Sequence, residues 1–136
     1  MADLISPPSR SEIYADLDLR LLTNPLSDDL VVLKDLEAVK QSVLRLVLTN
    51  YYEIPFEPFK GANVSALLFE PADEFTAFKI QENIVRVLRN YEPRIRNIRV
   101  TVRDESEKNA YTVSIQFTII AYNSGASLSF SLKRLR

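Results

Sequence analysis

Asn90-Tyr91-Glu92-Pro93-Arg94-Ile95-Arg96-Asn97-Ile98-Arg99-Val100-Thr101-Val102 is the stretch over which this chain changes character. Upstream of it, Ala77, Ile80, Ile84, Val87 or Leu88, and Tyr91 recur at the spacing of one helix face. Downstream, Ile98, Val100 and Val102 alternate with Arg99, Thr101 and Arg103. The repeat drops from about 3.6 residues to about 2, the signatures of a helix and a half-buried strand. Pro93 marks the switch, because its ring pushes the preceding residue out of the helical region. A helix beginning at Asp73 or Thr76 and ending near Tyr91 is expected, with Glu82 and Arg86 as a favourable i, i+4 pair.

Two more alternating runs follow. Tyr111, Val113, Ile115, Phe117 and Ile119 interleave with Thr112, Ser114, Gln116 and Thr118. Leu128, Phe130 and Leu132 interleave with Ser127, Ser129 and Ser131. Asp104 to Asn109 and Asn123-Ser124-Gly125 read as the turns between them. Three strands in that order predict an antiparallel meander with one buried face. Upstream, Leu36, Val39, Val43, Leu46 and Val47 form a second helical stripe, widened by Leu44 and Leu48, with Asp35 as a candidate cap. A stripe that wide suits a helix fully buried in the core, or one that turns part of its surface to another subunit. Helices followed by strands give an α+β fold: two main helices packed on a C-terminal three-stranded antiparallel meander, in two layers.

The remaining segments are less periodic. Residues 50–72 hold Pro55, Pro58 and Pro71 between Tyr51, Tyr52, Phe56, Phe59 and Phe69. So long a connection in a small domain is expected to be ordered, here by its aromatic side chains, with Asn63 capping a short helix. Leu30 to Leu33 suits a short strand, and Ile13 to Leu22 fits either a short helix or an extended segment. Residues 1–29, with Pro7 and Pro8, read as an N-terminal arm ordered by a partner, and residues 30–136 as the folded α+β domain.

Composition narrows the chemistry. The 136 residues are 46% hydrophobic with a formal net charge of −1, which suits one real core and gives no general basic excess for nucleic acid. Cysteine and histidine are absent and glycine occurs only twice. No thiolate nucleophile, Ser-His-Asp triad or Gly-rich phosphate loop can be built from such a chain. No cofactor is expected. Met1 to Arg20 lacks the pattern of a signal peptide, and no apolar run approaches the roughly 18 to 20 residues of a membrane span, so a soluble protein made without a cleaved export signal is expected.

Three sets of residues could carry function. Glu53, Glu57, Glu70, Asp73 and Glu74 form an acidic group from which a small glycosidase or muramidase could draw a carboxyl pair, although acids in a surface loop are usually just solvated. Arg86, Arg89, Arg94, Arg96, Arg99 and Arg103 could form a nucleic-acid surface, but alternation places Arg99 and Arg103 on a solvated strand face where charge is ordinary. Glu92, Pro93 and Arg94 form a rigid corner. Its guanidinium suits bidentate pairing with a partner's carboxylate or helix-end carbonyls, or an internal ion pair. The last strand, carrying Leu128, Phe130 and Leu132 and followed by Lys133, Arg134 and Arg136, is a candidate open edge for strand addition or a charged edge that resists it.

Two blocks of this sequence resemble a known family. Glu92-Pro93-Arg94 directly after a helix, preceded by Pro55-Phe56-Glu57-Pro58-Phe59-Lys60-Gly61 and then Leu67-Leu68-Phe69-Glu70, is similar to the small baseplate wedge subunit of contractile-tailed phages and its counterpart in type VI secretion. The resemblance covers about Leu30 to Leu135 and leaves 1–29 unmatched. It implies a non-catalytic virion protein of the tail baseplate, made and assembled in the host cytoplasm and present in several copies. It further implies docking of the Glu-Pro-Arg corner on a helical bundle of larger wedge proteins, acceptance of tail-sheath strands at the sheet edge, and tube-proximal hub proteins as neighbours. Neither nucleic acid nor membrane is an implied partner. Some relatives carry a lysozyme label, which this sequence gives little reason to extend.

Overall fold

The computed structural model describes residues 15–17 and 32–134. The chain divides into two compact units, Met1–Gln41 and Ser42–Arg136, so the expected boundary at residue 29 lies outside the described residues. In the first unit, β1 (Ala15–Leu17) pairs antiparallel with β2 (Val32–Lys34), Ala15 opposite Lys34 and Leu17 opposite Val32. The ambiguous segment around Ile13 to Leu22 is thus extended where it is described. Asp35 then turns the chain through a left-handed φ of 53°, and its carbonyl accepts the Val39 amide at 3.2 Å to open α1 (Leu36–Leu48).

Ala38, Val39, Ser42, Val43, Leu46 and Val47 are buried along α1, but the helix is not covered all round. Leu36 and Leu48 are 37% and 50% exposed. The apolar stripe is wider than the surface available to bury it.

In the second unit the residues between α1 and the next long helix form a compact connection holding the short α2 (Val64–Leu67). Backbone bonds order it. Tyr52 N–H donates to Pro58 O at 2.7 Å, and Ala62 and Asn63 N–H donate to Leu46 O and Thr49 O, both at 3.2 Å. Those two carbonyls lie at the end of α1, where no helical partner remains for them. Gly61 permits the approach: its φ is +140°, and a Cβ there would stand 2.3 Å from Thr49 O. The aromatic side chains do not anchor the connection as expected. Tyr52, Phe56, Phe59 and Phe69 are 75%, 102%, 55% and 54% exposed, and Tyr51 alone is partly covered. Left-handed φ values of 65° at Tyr52 and 67° at Phe56 accompany their exposure. Asn63 is left-handed too and makes no side-chain cap on α2; its Oδ1 accepts the Tyr51 amide at 3.4 Å.

α3 (Glu74–Tyr91) begins as its sequence indicates, with Asp73 Oδ1 accepting the Thr76 amide at 2.7 Å. Ala77, Ile80, Ile84, Val87 and Leu88 are buried, and the helix lies over β3 (Ile95–Glu105). The Glu82–Arg86 pair does not form. Arg86 Nη2 instead donates to Tyr51 Oη at 2.6 Å, because the buried partner lies on the loop side of the helix.

β3 pairs with β4 (Ala110–Ile119), and β4 with β5 (Ser124–Lys133), as an antiparallel meander in the order β3-β4-β5. The fold is the expected α+β arrangement of helices and a C-terminal meander. β4 is the central strand, and Tyr111, Val113, Ile115, Phe117 and Ile119 are all buried. On β3 the register slips by one residue between Arg96 and Arg99, where Asn97 takes a φ of 52°. This bulge moves the inward set from odd to even positions. Ile95 can then face the core opposite Ile119, and Val100 opposite Ile115.

Candidate functional site

Two anchors create the corner between α3 and β3. Leu88 is fully buried and its carbonyl accepts the Glu92 amide at 3.1 Å, closing the last turn of the helix. Ile95 is buried at the start of β3, and the carbonyl of Arg94 accepts Ile120 N–H at 3.0 Å from the far end of β4. Glu92 has left the helical region (φ −120°, ψ 85°), as a residue before proline should. Pro93 is exposed at the apex.

Glu92 is a carboxylate at 3% exposure. Burial of an unpaired charge would cost several kcal/mol, on the order of what a small domain has in total. Here both oxygens are occupied. Arg94 donates from Nε to Oε1 at 2.6 Å and from Nη2 to Oε2 at 2.8 Å, a two-toothed clasp. Ser42, on α1, donates Oγ–H to Oε2 at 2.7 Å. Burial raises the Glu92 carboxyl, but the Arg94 and Ser42 hydrogen bonds and the Arg94 charge outweigh it, so its pKa is lowered overall. The result is an ionised, neutralised pair. It locks the corner to α1 and leaves the Arg94 side chain 28% exposed.

A groove of about 410 Å³ opens beside this pair, lined by Ser42, Arg45 and Leu46 of α1, Thr49 just after it, Ile54 and Lys60 of the connection, and Tyr91 to Arg94. Lys60 crosses it, with Nζ 2.8 Å from Glu57 Oε2 and 5.8 Å from the centre of the Tyr91 ring. The groove therefore combines apolar walls with guanidinium and ammonium groups, and suits a protein surface more than a small polar substrate. Ser42, Thr49 and Lys60 were not singled out in the sequence. A serine inside the apolar stripe of α1 was a readable sign of a buried polar partner, but nothing in the sequence says which one.

The second set of expected contact residues is placed differently. Leu128 and Phe130 are partly buried and Leu132 is 7% exposed, each on the core face of β5 opposite Ile115, Val113 and Tyr111. β5 does lie at the edge of its sheet. A partner pairing with it would meet backbone groups, the exposed Ser127, Ser129 and Ser131 on one face and the partly buried Leu128 and Phe130 on the other.

The acids and arginines do not come together as sets, and several of them are taken up in local contacts. Glu53 accepts from Asn50 N and Nδ2, and the backbone bond lowers its pKa most. Glu57 pairs with Lys60, and Glu70 with Lys79 at 3.0 Å, while Asp73 caps α3 with its pKa lowered by the Thr76 amide. A glycosidase acid needs a raised pKa, whereas Glu53 and Asp73 are shifted the other way. Among the described residues no group of three or more His, Cys, Asp or Glu could hold a metal ion. Arg86 and Arg94 turn inward to Tyr51 and Glu92, Arg96 bonds Asn123, and Arg99 and Arg103 lie exposed on β3, so the arginines do not act as one surface. Among the described residues no helix is long and apolar enough to cross a membrane.

Comparison with known proteins places the chain in a family. The chain is 31% identical over 110 residues to the baseplate wedge protein gp25 of Enterobacteria phage T4, covering 81% of this chain and 83% of that protein. Its fold is shared with a candidate tail lysozyme of Geobacter sulfurreducens, at a TM-score of 0.66 and 20% identity over 74% of this chain and 91% of the other. It is shared also with a chain of the type VI secretion system baseplate complex, at a TM-score of 0.58 and 16% identity over 71% and 93% of the two chains. A chain of the anti-feeding prophage baseplate matches at a TM-score of 0.56 and 14% identity over 90% and 87%. Residues 34–124, which include α1, the connection, α3, the corner and the first two strands of the meander, match the family described as baseplate wedge protein gp25, and the chain belongs to that family.

Proposed function

We infer that this chain is a structural subunit of a contractile-tail baseplate, which docks to larger wedge proteins through Glu92-Pro93-Arg94 and meets the sheath at the edge of β5. Membership of the wedge family supports the general role. The observation that carries the docking site is the buried Glu92 clasped by Arg94 beside the groove. An ion pair so placed holds a guanidinium edge and an exposed proline in one orientation, a geometry suited to carbonyls or a carboxylate at the end of a partner helix. The open edge of β5 supports strand addition by backbone pairing. The pairing of each loop acid with its own donor speaks against a hydrolase, and release of peptidoglycan fragments by the pure protein would overturn that part of the reading.

The docking test is co-purification with the large wedge proteins of the same particle. Arg94→Ala by itself is ambiguous, because it strands a buried carboxylate. Glu92→Gln/Arg94→Gln replaces the ion pair with neutral amides that can still bond Ser42. That double variant should fold, as judged by circular dichroism, yet fail to bring down the wedge proteins. Undiminished capture would remove the corner from the interface.

A further inference from the structure

The turn at residues 51–60 presents aromatic rings outward on a rigid frame. Phe56 is 102% exposed, Tyr52 75% and Phe59 55%, with Pro55 and Pro58 also exposed among them. The rings are organised: Phe59 lies 5.7 Å from Tyr51 in an edge-on arrangement and 6.0 Å from Tyr52. The backbone is held by Tyr52 N–H to Pro58 O at 2.7 Å, Glu57 N–H to Ile54 O at 3.3 Å and Lys60 N–H to Glu57 O at 3.1 Å. Tyr52 and Phe56 occupy the left-handed region, at φ of 65° and 67°, where glycine or asparagine would sit with less strain. Phe56, wholly exposed and in strained backbone, gains nothing for the fold by burial. A preformed aromatic surface of this kind is what an interface anchor requires.

The charges around the rings select the partner. Glu53 and Glu57 are the acids of the turn, and Asn50 donates two hydrogen bonds that hold Glu53 in place. Lys60, the one cation of the turn, lies 2.8 Å from Glu57 Oε2 and 5.8 Å from the centre of the Tyr91 ring, so Glu57 is neutralised within the turn and Glu53 carries its net charge. The outward surface is therefore aromatic with one carboxylate, Glu53, that the cation of the turn does not neutralise. Aromatic faces attract guanidinium and ammonium groups, and this chain already does so internally: Arg86 lies 5.6 Å from the Tyr51 ring and Lys79 4.7 Å from that of Phe75. We propose that the 51–60 turn docks a segment of another polypeptide that carries arginine or lysine among apolar side chains. An anionic lipid surface is disfavoured by the same Glu53 carboxylate. The proposal rests on the baseplate reading only for where such a partner is first sought.

The test places a photo-reactive probe, Phe56→p-benzoylphenylalanine, in the full chain and irradiates intact producing cells, with cross-linked peptides sequenced by mass spectrometry. The expected product joins position 56 to a segment of a different protein that contains Lys or Arg beside apolar residues. Glu53→Gln in the same chain should lower its yield by about threefold or more. A cross-link to a second copy of this chain, to lipid or to a segment without basic residues would overturn the proposal, as would absence of any cross-link from folded protein. A basic, apolar segment of a protein outside the tail would uphold the docking surface and sink the baseplate reading. The reverse holds if the chain co-purifies with tail particles but yields no cross-link. Should the probe disturb the turn, Phe59→p-benzoylphenylalanine gives the same readout from the neighbouring ring.

Discussion

Ser42 and Glu92, fifty residues apart in the chain, are joined by a hydrogen bond of 2.7 Å from Oγ to a carboxylate oxygen. That bond ties α1 to the end of α3 and is one of three donors that make a buried charge tolerable at the corner. Ser42→Ala should leave Glu92 one donor short and cost about 1–3 kcal/mol, as for a buried group deprived of one hydrogen bond. Urea denaturation would measure it, with an unchanged slope expected because the surface exposed on unfolding is the same.

Arg94 offers a sharper test of coupling. It is both the neutralising partner of Glu92 and the exposed candidate contact. Arg94→Ala should destabilise by about 2–4 kcal/mol, somewhat less than for a fully buried pair, since the guanidinium is partly solvated. Glu92→Gln should recover part of that loss when added to Arg94→Ala, because the stranded charge is then gone. A double-mutant cycle that proves additive would show that the two residues do not stabilise the fold as a pair.

The pH dependence follows from the same group. The Glu92 carboxyl titrates below its ordinary value of 4.5 in the folded chain. Its contribution is therefore fully present above the unfolded value and is lost as the pH falls through the lower folded value. Thermal unfolding between neutral pH and pH about 3 should show wild type losing more stability than Glu92→Gln, with the difference confined to the acid limb. Equal acid slopes would mean that Glu92 is not held ionised.

Gly61 is the position where a single methyl group should do most damage. A Cβ would meet Thr49 O at 2.3 Å, and the φ of +140° is closed to L side chains. Gly61→Ala should cost about 2–3 kcal/mol or more, since strain at such a residue adds to the loss of the two bonds that close α1. Amide exchange at Ala62 and Asn63 would report the opening directly.

Asn97 sets the bulge in β3. Asn97→Gly should be near neutral, whereas Asn97→Val should lose about 1–3 kcal/mol, because a β-branched residue resists the left-handed region. Chemical denaturation of both variants would show whether the bulge depends on this backbone conformation.

The order of helices and strands could be read along the chain because it depends on local periodicity. The stripe from Ala77 to Leu88, the cap at Asp73, the stop at Pro93 and the strict alternation in β4 each depend on residues within a few positions of one another. The Glu-Pro-Arg corner was legible for the same reason. Its meaning was not. Whether Arg94 reaches outward or back to Glu92 depends on Ser42 and on the burial of the carboxylate, which only the packing of α1 provides. What orders the aromatic connection was not legible, because backbone bonds to Leu46 and Thr49, and not the largely exposed rings, hold it in place. The shift of the inward face of β3 at Asn97 likewise needs a partner strand against which to slip. Composition and periodicity determined the α+β class and the place of the corner, since both are short-range properties. Tertiary structure decided which charges are buried, which rings are exposed and which strands lie at the edges of the described sheet, since those depend on neighbours far away in the chain.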